Sequence, residues 1–152
     1  MPLDESQRLG LERLNDFLSS GGGVLRVARI GGVGVGHALV IFPLRGPMRD
    51  DWVEHHVLDD QPDPHAVTEE LRGRKSSLMT DLLVVPGQRR KGIGRVLVGD
   101  AIEVARVAGA AELALFVAKD NLPARALYEE TGFRVVRDAG AQLLYSYPLT
   151  LR

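Results

Sequence analysis

Leu82-Leu83-Val84-Val85-Pro86-Gly87-Gln88-Arg89-Arg90-Lys91-Gly92-Ile93-Gly94-Arg95 is the stretch on which the fold of this chain turns. It opens with a short apolar run rich in strand formers, too short for a typical helix. Pro86 and Gly87 stop that run. A basic segment punctuated by glycines follows. Beyond it Ile93, Val96, Leu97, Ala101, Val104 and Ala108 recur at spacings of three and four, which predicts one buried helix face. Gly109 is placed to end that helix. The reading is strand, tight glycine loop, helix.

Such an arrangement aims several backbone N–H groups at one place. The first turn of a helix has unpaired donors and the positive end of the helix dipole. Gly92 and Gly94 have no Cβ, so an anion can approach the backbone closely. Arg89, Arg90, Lys91 and Arg95 add positive charge, and the natural guest is a pyrophosphate. A P-loop is excluded: Gly87 and Gly92 have its separation, but Ile93 and Gly94 stand where Lys and Ser/Thr are required. A dinucleotide fingerprint is excluded as well, because Val96 and Leu97 follow Gly94 and the third glycine is missing.

What fits is Arg-x-x-Gly-x-Gly, filled by Arg89, Gly92 and Gly94 with Val84 and Pro86 upstream. This resembles the acyl-CoA-binding motif of the GNAT superfamily of N-acetyltransferases. A second stretch, Asn121-Leu122-Pro123-Ala124-Arg125-Ala126-Leu127-Tyr128-Glu129-Glu130-Thr131-Gly132-Phe133, resembles that family's Asn-x-x-Ala-x-x-x-Tyr-x-x-x-Gly-Phe segment at every fixed position. The two motifs come in the family's order, and the resemblance covers Val24 to Phe133.

The resemblance implies an α/β fold with a mixed, mostly antiparallel sheet flanked by helices, in a single domain over residues 1–152. It implies transfer of an acetyl group from acetyl-CoA, a co-substrate, to a primary amine. The backbone from Arg89 to Arg95, including Gly92, Ile93 and Gly94, would hold the pyrophosphate. Leu83 and Val84, at a splayed strand edge, would pair with the pantetheine arm and polarise the thioester carbonyl. Asn121 would hydrogen-bond that arm, and Tyr128, with a phenol pKa near the ordinary value of about 10, would donate a proton to the departing sulfur. Asp81 is the first choice for the base that takes the amine proton, with Glu54, His55 and His37 as further candidates and a water chain as an alternative. Direct attack in a ternary complex is expected, since the chain has no cysteine to carry the acyl group. The rival reading is a non-catalytic module that binds acyl-CoA as a sensor or scaffold.

The rest of the chain suits one domain. Its 152 residues can bury a real core, and 45% hydrophobic with 26% charged residues is ordinary for a globular protein. A net charge of −1 implies no general attraction to nucleic acid or anionic membrane. No apolar run reaches spanning length and no signal peptide opens the chain. The lack of cysteine excludes disulfides and thiolate metal sites and accords with the cytoplasm, the expected location. The acceptor is expected to be a small-molecule or peptide amine, and a homodimer stays open.

Residues from about Asp4 to Leu18 read as an amphipathic helix, followed by a Ser/Gly connector. Val24 to Ile30, Gly31-Gly32 and Val33 to Phe42 read as a hairpin. Gly32, Gly34 and Gly36 mimic a nucleotide loop, but no helix follows them. Between Pro43 and Lys75, Trp52 to Leu58 is expected to be a strand and Ala66 to Arg72 a short helix, the whole forming the acceptor side of the cleft. Its His55, His56 and His65 lack the paired spacing of a zinc helix, so no metal is expected. Glu112 to Ala118 reads as a strand, Asn121 to Gly132 as a helix with Pro123 in its first turn, and Phe133–Arg137 with Gln142–Leu149 as a closing hairpin. The resemblance implies an opening strand and two helices ahead of the first hairpin, where this sequence has room for one helix and shows no clear opening strand.

Overall fold

The computed structural model describes residues 18, 21–44, 47–89 and 92–149. The helix expected from Asp4 thus lies outside the described residues save for Leu18, as do Arg90 and Lys91. The chain opens on the hairpin of β1 (Gly23–Ile30) and β2 (Val33–Ile41). Its two turn residues, Gly31 and Gly32, have φ of +57° and +82°. A two-residue hairpin turn that matches the twist of the strands requires positive φ at both positions, which is why glycine stands at each.

Two helices follow, α1 (Pro47–His56) and α2 (Pro64–Gly73). The strand expected over Trp52–Leu58 is therefore the second half of α1 and the turn that closes it. Val53 and Leu58 are completely buried while His55 and His56 are exposed. The carbonyl of Val53 accepts from the N–H groups of both Val57 and Leu58 at 2.9 Å, which winds the chain up there. The polar run Glu54-His55-His56 never alternated, and apolar residues on either side of it were weak evidence for a strand. The short helix expected at Ala66–Arg72 is α2. Asp63 caps it, its carboxylate accepting from the Ala66 N–H at 3.1 Å, and Pro64 fills the first turn. These two helices lie between the first hairpin and the next strand.

The chain then runs through β3 (Ser76–Val84), a 3-10 turn at Pro86–Gln88, α3 (Ile93–Val107), β4 (Glu112–Ala118), α4 (Leu122–Thr131), β5 (Arg134–Ala139) and β6 (Gln142–Pro148). The six strands form one sheet in the order β1-β2-β3-β4-β6-β5. Among the described residues only β3 and β4 are parallel, and every other pair is antiparallel. This is the mixed, mostly antiparallel sheet that the sequence predicts. The closing hairpin turns at Gly140 rather than earlier, so Asp138 and Ala139 stay in β5.

Side chains alternate across the strands and build two cores. Ala38, Val40, Met79, Leu113, Leu115 and Tyr145 face α3 and α4. Leu39, Ile41, Leu78, Ala114 and Leu144 face α1 and α2. The buried stripe of α3 is Leu97, Val98, Ala101, Ile102 and Ala105. It is centred on Ala101, rotated from the predicted face, and it leaves Val96 68% exposed. Gly109, with φ of +81°, follows the Ala108 cap as expected.

Candidate active site

β3 and β4 pair for only three residues, Ser76 with Glu112, Ser77 with Leu113 and Leu78 with Ala114. Beyond Leu78 they part, and a cleft of about 350 Å³ opens between them. Its walls come from both sides of the sheet. Leu82, Leu115, Ala124, Leu127 and Tyr128 line it from the layer of α3 and α4, and Val57, Leu78 and Phe116 from the layer of α1 and α2. Asp60, Asp81, Asn121 and Gln142 supply its polar rim.

The bend in β3 has a local cause. Against β2, the register steps from His37–Leu83 to Leu39–Thr80, so two residues of β3 oppose one of β2. This is a β-bulge, which bends a strand and re-aims its side chains. Asp81 sits in it with φ of +55°, a left-handed conformation that Asp tolerates better than most residues. The bulge places Asp81 at the cleft. Leu83 is half exposed on the free edge of β3, and the Val84 carbonyl accepts from Arg89 Nε at 3.3 Å.

At the far end of that edge Gly92 caps α3 with φ of +81°. A side chain there would meet nothing within 4 Å, so the glycine serves conformation and leaves the approach open. The first helical bond runs from the Val96 N–H to the Gly92 carbonyl at 3.1 Å. The N–H groups of Ile93, Gly94 and Arg95 therefore have no acceptor within the helix. Gly94 has a second role: a Cβ there would come within 3.3 Å of Leu127 Cδ2, so it also lets α3 close on α4. Ile93 packs toward Gly36 of β2. Arg95 is held by Glu130 at 2.8 Å, along the surface of α4.

On the opposite wall Asn121 caps α4, its Oδ1 accepting from the Ala124 N–H at 3.3 Å. Its amide N–H₂ takes no part in the cap. Tyr128 lies two turns further along the same helix, and both residues line the cleft. Tyr128 is only 7% exposed, with its ring edge-on to Phe133 at 5.8 Å and tilted against Tyr145 at 6.2 Å. Its hydroxyl has no hydrogen-bond partner among the described residues. Burial pushes its pKa up to about 12, above the ordinary value that the sequence suggests.

The other candidate bases lie away from the cleft. Glu54 accepts from His65 at 3.0 Å and His55 faces Asp51 at 3.2 Å, both on α1. His37 sits in β2 with its Nδ1 buried and unpartnered among the described residues. No group of three His, Asp or Glu side chains converges among the described residues. Sequence reasoning gave Gln61 and Gln142 no role, and weighed Asp60 only among the acids around the three histidines. Asp60 stands in an acidic run that looks like a solvated loop, and Gln61 reaches Gln142 across 81 positions. A wider groove of about 600 Å³ lies between β1 and α3, but its Arg26 and Asp100 are paired at 2.7 Å and offer no convergent chemistry.

Comparison with known proteins places the chain in a family and a fold. A stretch of 53 residues is 49% identical to streptothricin acetyltransferase of Streptomyces lavendulae, covering 35% of this chain and 28% of that protein. Another 53-residue match is 43% identical to mycothiol acetyltransferase of Beutenbergia cavernae, covering 35% of this chain and 18% of that protein. The matches therefore span less than a third of either curated relative. Among solved structures, the PaiA N-acetyltransferase of Thermoplasma acidophilum, in complex with coenzyme A, superposes with a TM-score of 0.66. It is 15% identical over 94% of this chain and 71% of that one, a likeness of fold. The model of the acetyltransferase (GNAT) family matches residues 7–133, which takes in the strand, the glycine loop, both helices of the cleft and Tyr128. By that match, which spans most of its length, the chain belongs to the acetyltransferase (GNAT) family.

Proposed function

We propose that this protein transfers an acetyl group from acetyl-CoA to a primary amine, by direct attack while both are bound. One observation carries the reading: β3 leaves β4 after Leu78 and turns a free edge toward Tyr128, a 7% exposed side chain that lines the cleft with no hydrogen-bond partner among the described residues. The residues fit acetyl-CoA. The open left-handed turn at Gly92 and the bare N–H groups of Ile93, Gly94 and Arg95 suit a pyrophosphate. In the sequence Arg89, Arg90, Lys91 and Arg95 flank that turn and carry positive charge. The edge at Leu83 and Val84 suits the amide-bearing pantetheine arm, with the Asn121 amide opposite. When bound, acetyl-CoA supplies an acyl group activated as a thioester.

The amine nitrogen bonds to the acyl carbon as the C–S bond breaks. Asp81 takes the proton that the amine loses, and the Tyr128 hydroxyl donates a hydrogen bond to the departing sulfur, which leaves as a thiolate and takes its proton from water. With a pKa of about 12 the phenol is neutral throughout the physiological range, hence always a donor. It is a weaker acid than a simple thiol, which ionises near 8.5 in water, so a complete transfer would run uphill. The cleft that desolvates the phenol desolvates a thiolate too, which narrows the gap. Stabilising a developing thiolate by a short hydrogen bond is the role the burial favours.

The acceptor is a small-molecule or peptide amine. A panel of amines assayed for thiol release from acetyl-CoA tests the reading. Amine-dependent release is expected. CoA binding with no release on any amine would overturn it and leave the non-catalytic binding module.

A further inference from the structure

We propose that Asp60 anchors a cationic group of the acceptor, so that the preferred amines carry a second positive charge. The inference rests on the acetyl-transfer reading for where the acceptor enters. The cleft is lined by two carboxylates, Asp60 and Asp81, and by no Lys or Arg among the described residues. The two cannot share one task. The attacking nitrogen must be neutral, so the carboxylate that takes its proton, Asp81, meets an uncharged amine. Asp60, reached from the side of α1 and α2, then faces a position where an ammonium that stays protonated is favoured.

Asp60 differs from the acids around it. Asp63 is spent capping α2, and Asp59 does not line the cleft. The side chain of Gln61, 7% exposed, donates to Gln142 Oε1 at 2.6 Å and lies 3.5 Å from Asp60 Oδ1. That latch fastens the turn between α1 and α2 to β6 and sets Asp60 at the mouth of the cleft. The Tyr128 side chain, 7% exposed and with no hydrogen-bond partner among the described residues, lines the same cleft and marks it as a place for a ligand.

Calorimetry on the CoA-saturated protein, with 1,5-diaminopentane and with pentylamine as probes, tests the inference. In the wild type the diamine should bind about tenfold tighter than the monoamine. Asp60→Asn should remove that preference and change monoamine and CoA affinity less than about twofold. Asp60→Glu should retain part of it. Equal or undetectable affinity for the two amines in the wild type, or an undiminished diamine preference in Asp60→Asn, would overturn the proposal. A diamine preference lost in Asp60→Asn, without thiol release from acetyl-CoA, would leave Asp60 as the anchor and sink acetyl transfer instead.

Discussion

Tyr128 combines two properties that rarely coincide in a core residue: a ring packed on Phe133 and Tyr145, and a hydroxyl without a partner among the described residues. A buried phenol normally finds a hydrogen bond. Tyr145, on the same side of the sheet, does so, donating to Glu129 at 2.6 Å and accepting from Arg125 at 3.1 Å. Tyr128→Phe keeps the packing and removes only the proton. Turnover should fall roughly 10²-fold, the scale of a lost hydrogen-bond donor to a developing anion, with CoA affinity unchanged in a parallel titration. The raised pKa also has a signature in stability. A free phenol titrates near 10, so between about pH 10 and about 12 the unfolded chain sheds this proton while the folded chain keeps it. Stability must then fall as pH rises through that window, by up to about 1.4 kcal/mol per unit. Urea unfolding of Tyr128→Phe should show a shallower decline there and the same slope as the wild type below it. Asp81 poses a different problem, because its backbone is left-handed. Asn tolerates that conformation, so Asp81→Asn isolates the carboxylate. It should lower kcat roughly 10²-fold with little loss of stability, and an unchanged kcat would hand the proton to water. Asn121 and Tyr128 could be read from the sequence because one helix carries both at fixed spacing. Asp60 could not, since its place is set by Gln61 reaching Gln142 on a distant strand.

Among the elements, the glycines of the first hairpin show how closely the cleft wall is packed. Gly36 of β2 lies under α3, where a Cβ would come within 2.9 Å of the Leu83 carbonyl oxygen and 3.1 Å of Leu97 Cδ1. The nearest atom is backbone, so the strand itself would have to move. Gly36→Ala should cost about 1–3 kcal/mol of stability and widen the gap between β2 and β3. Gly92→Ala meets nothing and pays only for its left-handed backbone, roughly 1 kcal/mol. Chemical denaturation of the two variants would rank them, and a smaller loss for Gly36→Ala would contradict this packing. The sequence shows Gly32, Gly34 and Gly36 as one string, yet only the structure separates a turn residue from a packing residue. The same limit explains the missed helix. Local signals located elements where they were clean: the apolar run of β3, the three-and-four spacing of α3, and the Asn121 start and Gly132 stop of α4. Over Trp52–Leu58 the pattern has no clean period, and burial of Val53 and Leu58 against α2 and β3 decides the conformation.

For the molecule as a whole, the cleft exists because two parallel strands are held at one end and free at the other. The held end is built from charge. Glu112, 12% exposed in its side chain, accepts from Arg74 Nη2 at 2.9 Å and from Ser76 Oγ at 2.9 Å. The Ala111 N–H adds a backbone bond to the Lys75 carbonyl at 2.9 Å. Ser76 and Glu112 are also the first pair of the parallel ladder, so this knot lies at the apex from which β3 and β4 diverge. The hydrogen bond from Arg74 to Glu112 raises the arginine pKa, the direction expected when a cation gains an anionic partner. Removing a largely buried carboxylate that serves two donors leaves Ser76, itself buried, without its acceptor. Glu112→Ala should therefore cost about 2 kcal/mol. The outer pair of Arg95 and Glu130 offers the contrast, since both side chains are 59% exposed and water solvates either one alone. Glu130→Ala should change stability by less than about 1 kcal/mol. Urea denaturation separates the two cases. Hydrogen exchange at Ser77, Leu78, Leu113 and Ala114 should quicken in Glu112→Ala and not in Glu130→Ala, because only the first loosens the apex. Because the apex fixes how far the free edge at Leu83 stands from Tyr128, CoA affinity should weaken in Glu112→Ala as well. Undisturbed exchange at those four residues would show that the strands are held by their backbone pairing alone, with the charge knot incidental to the shape of the cleft.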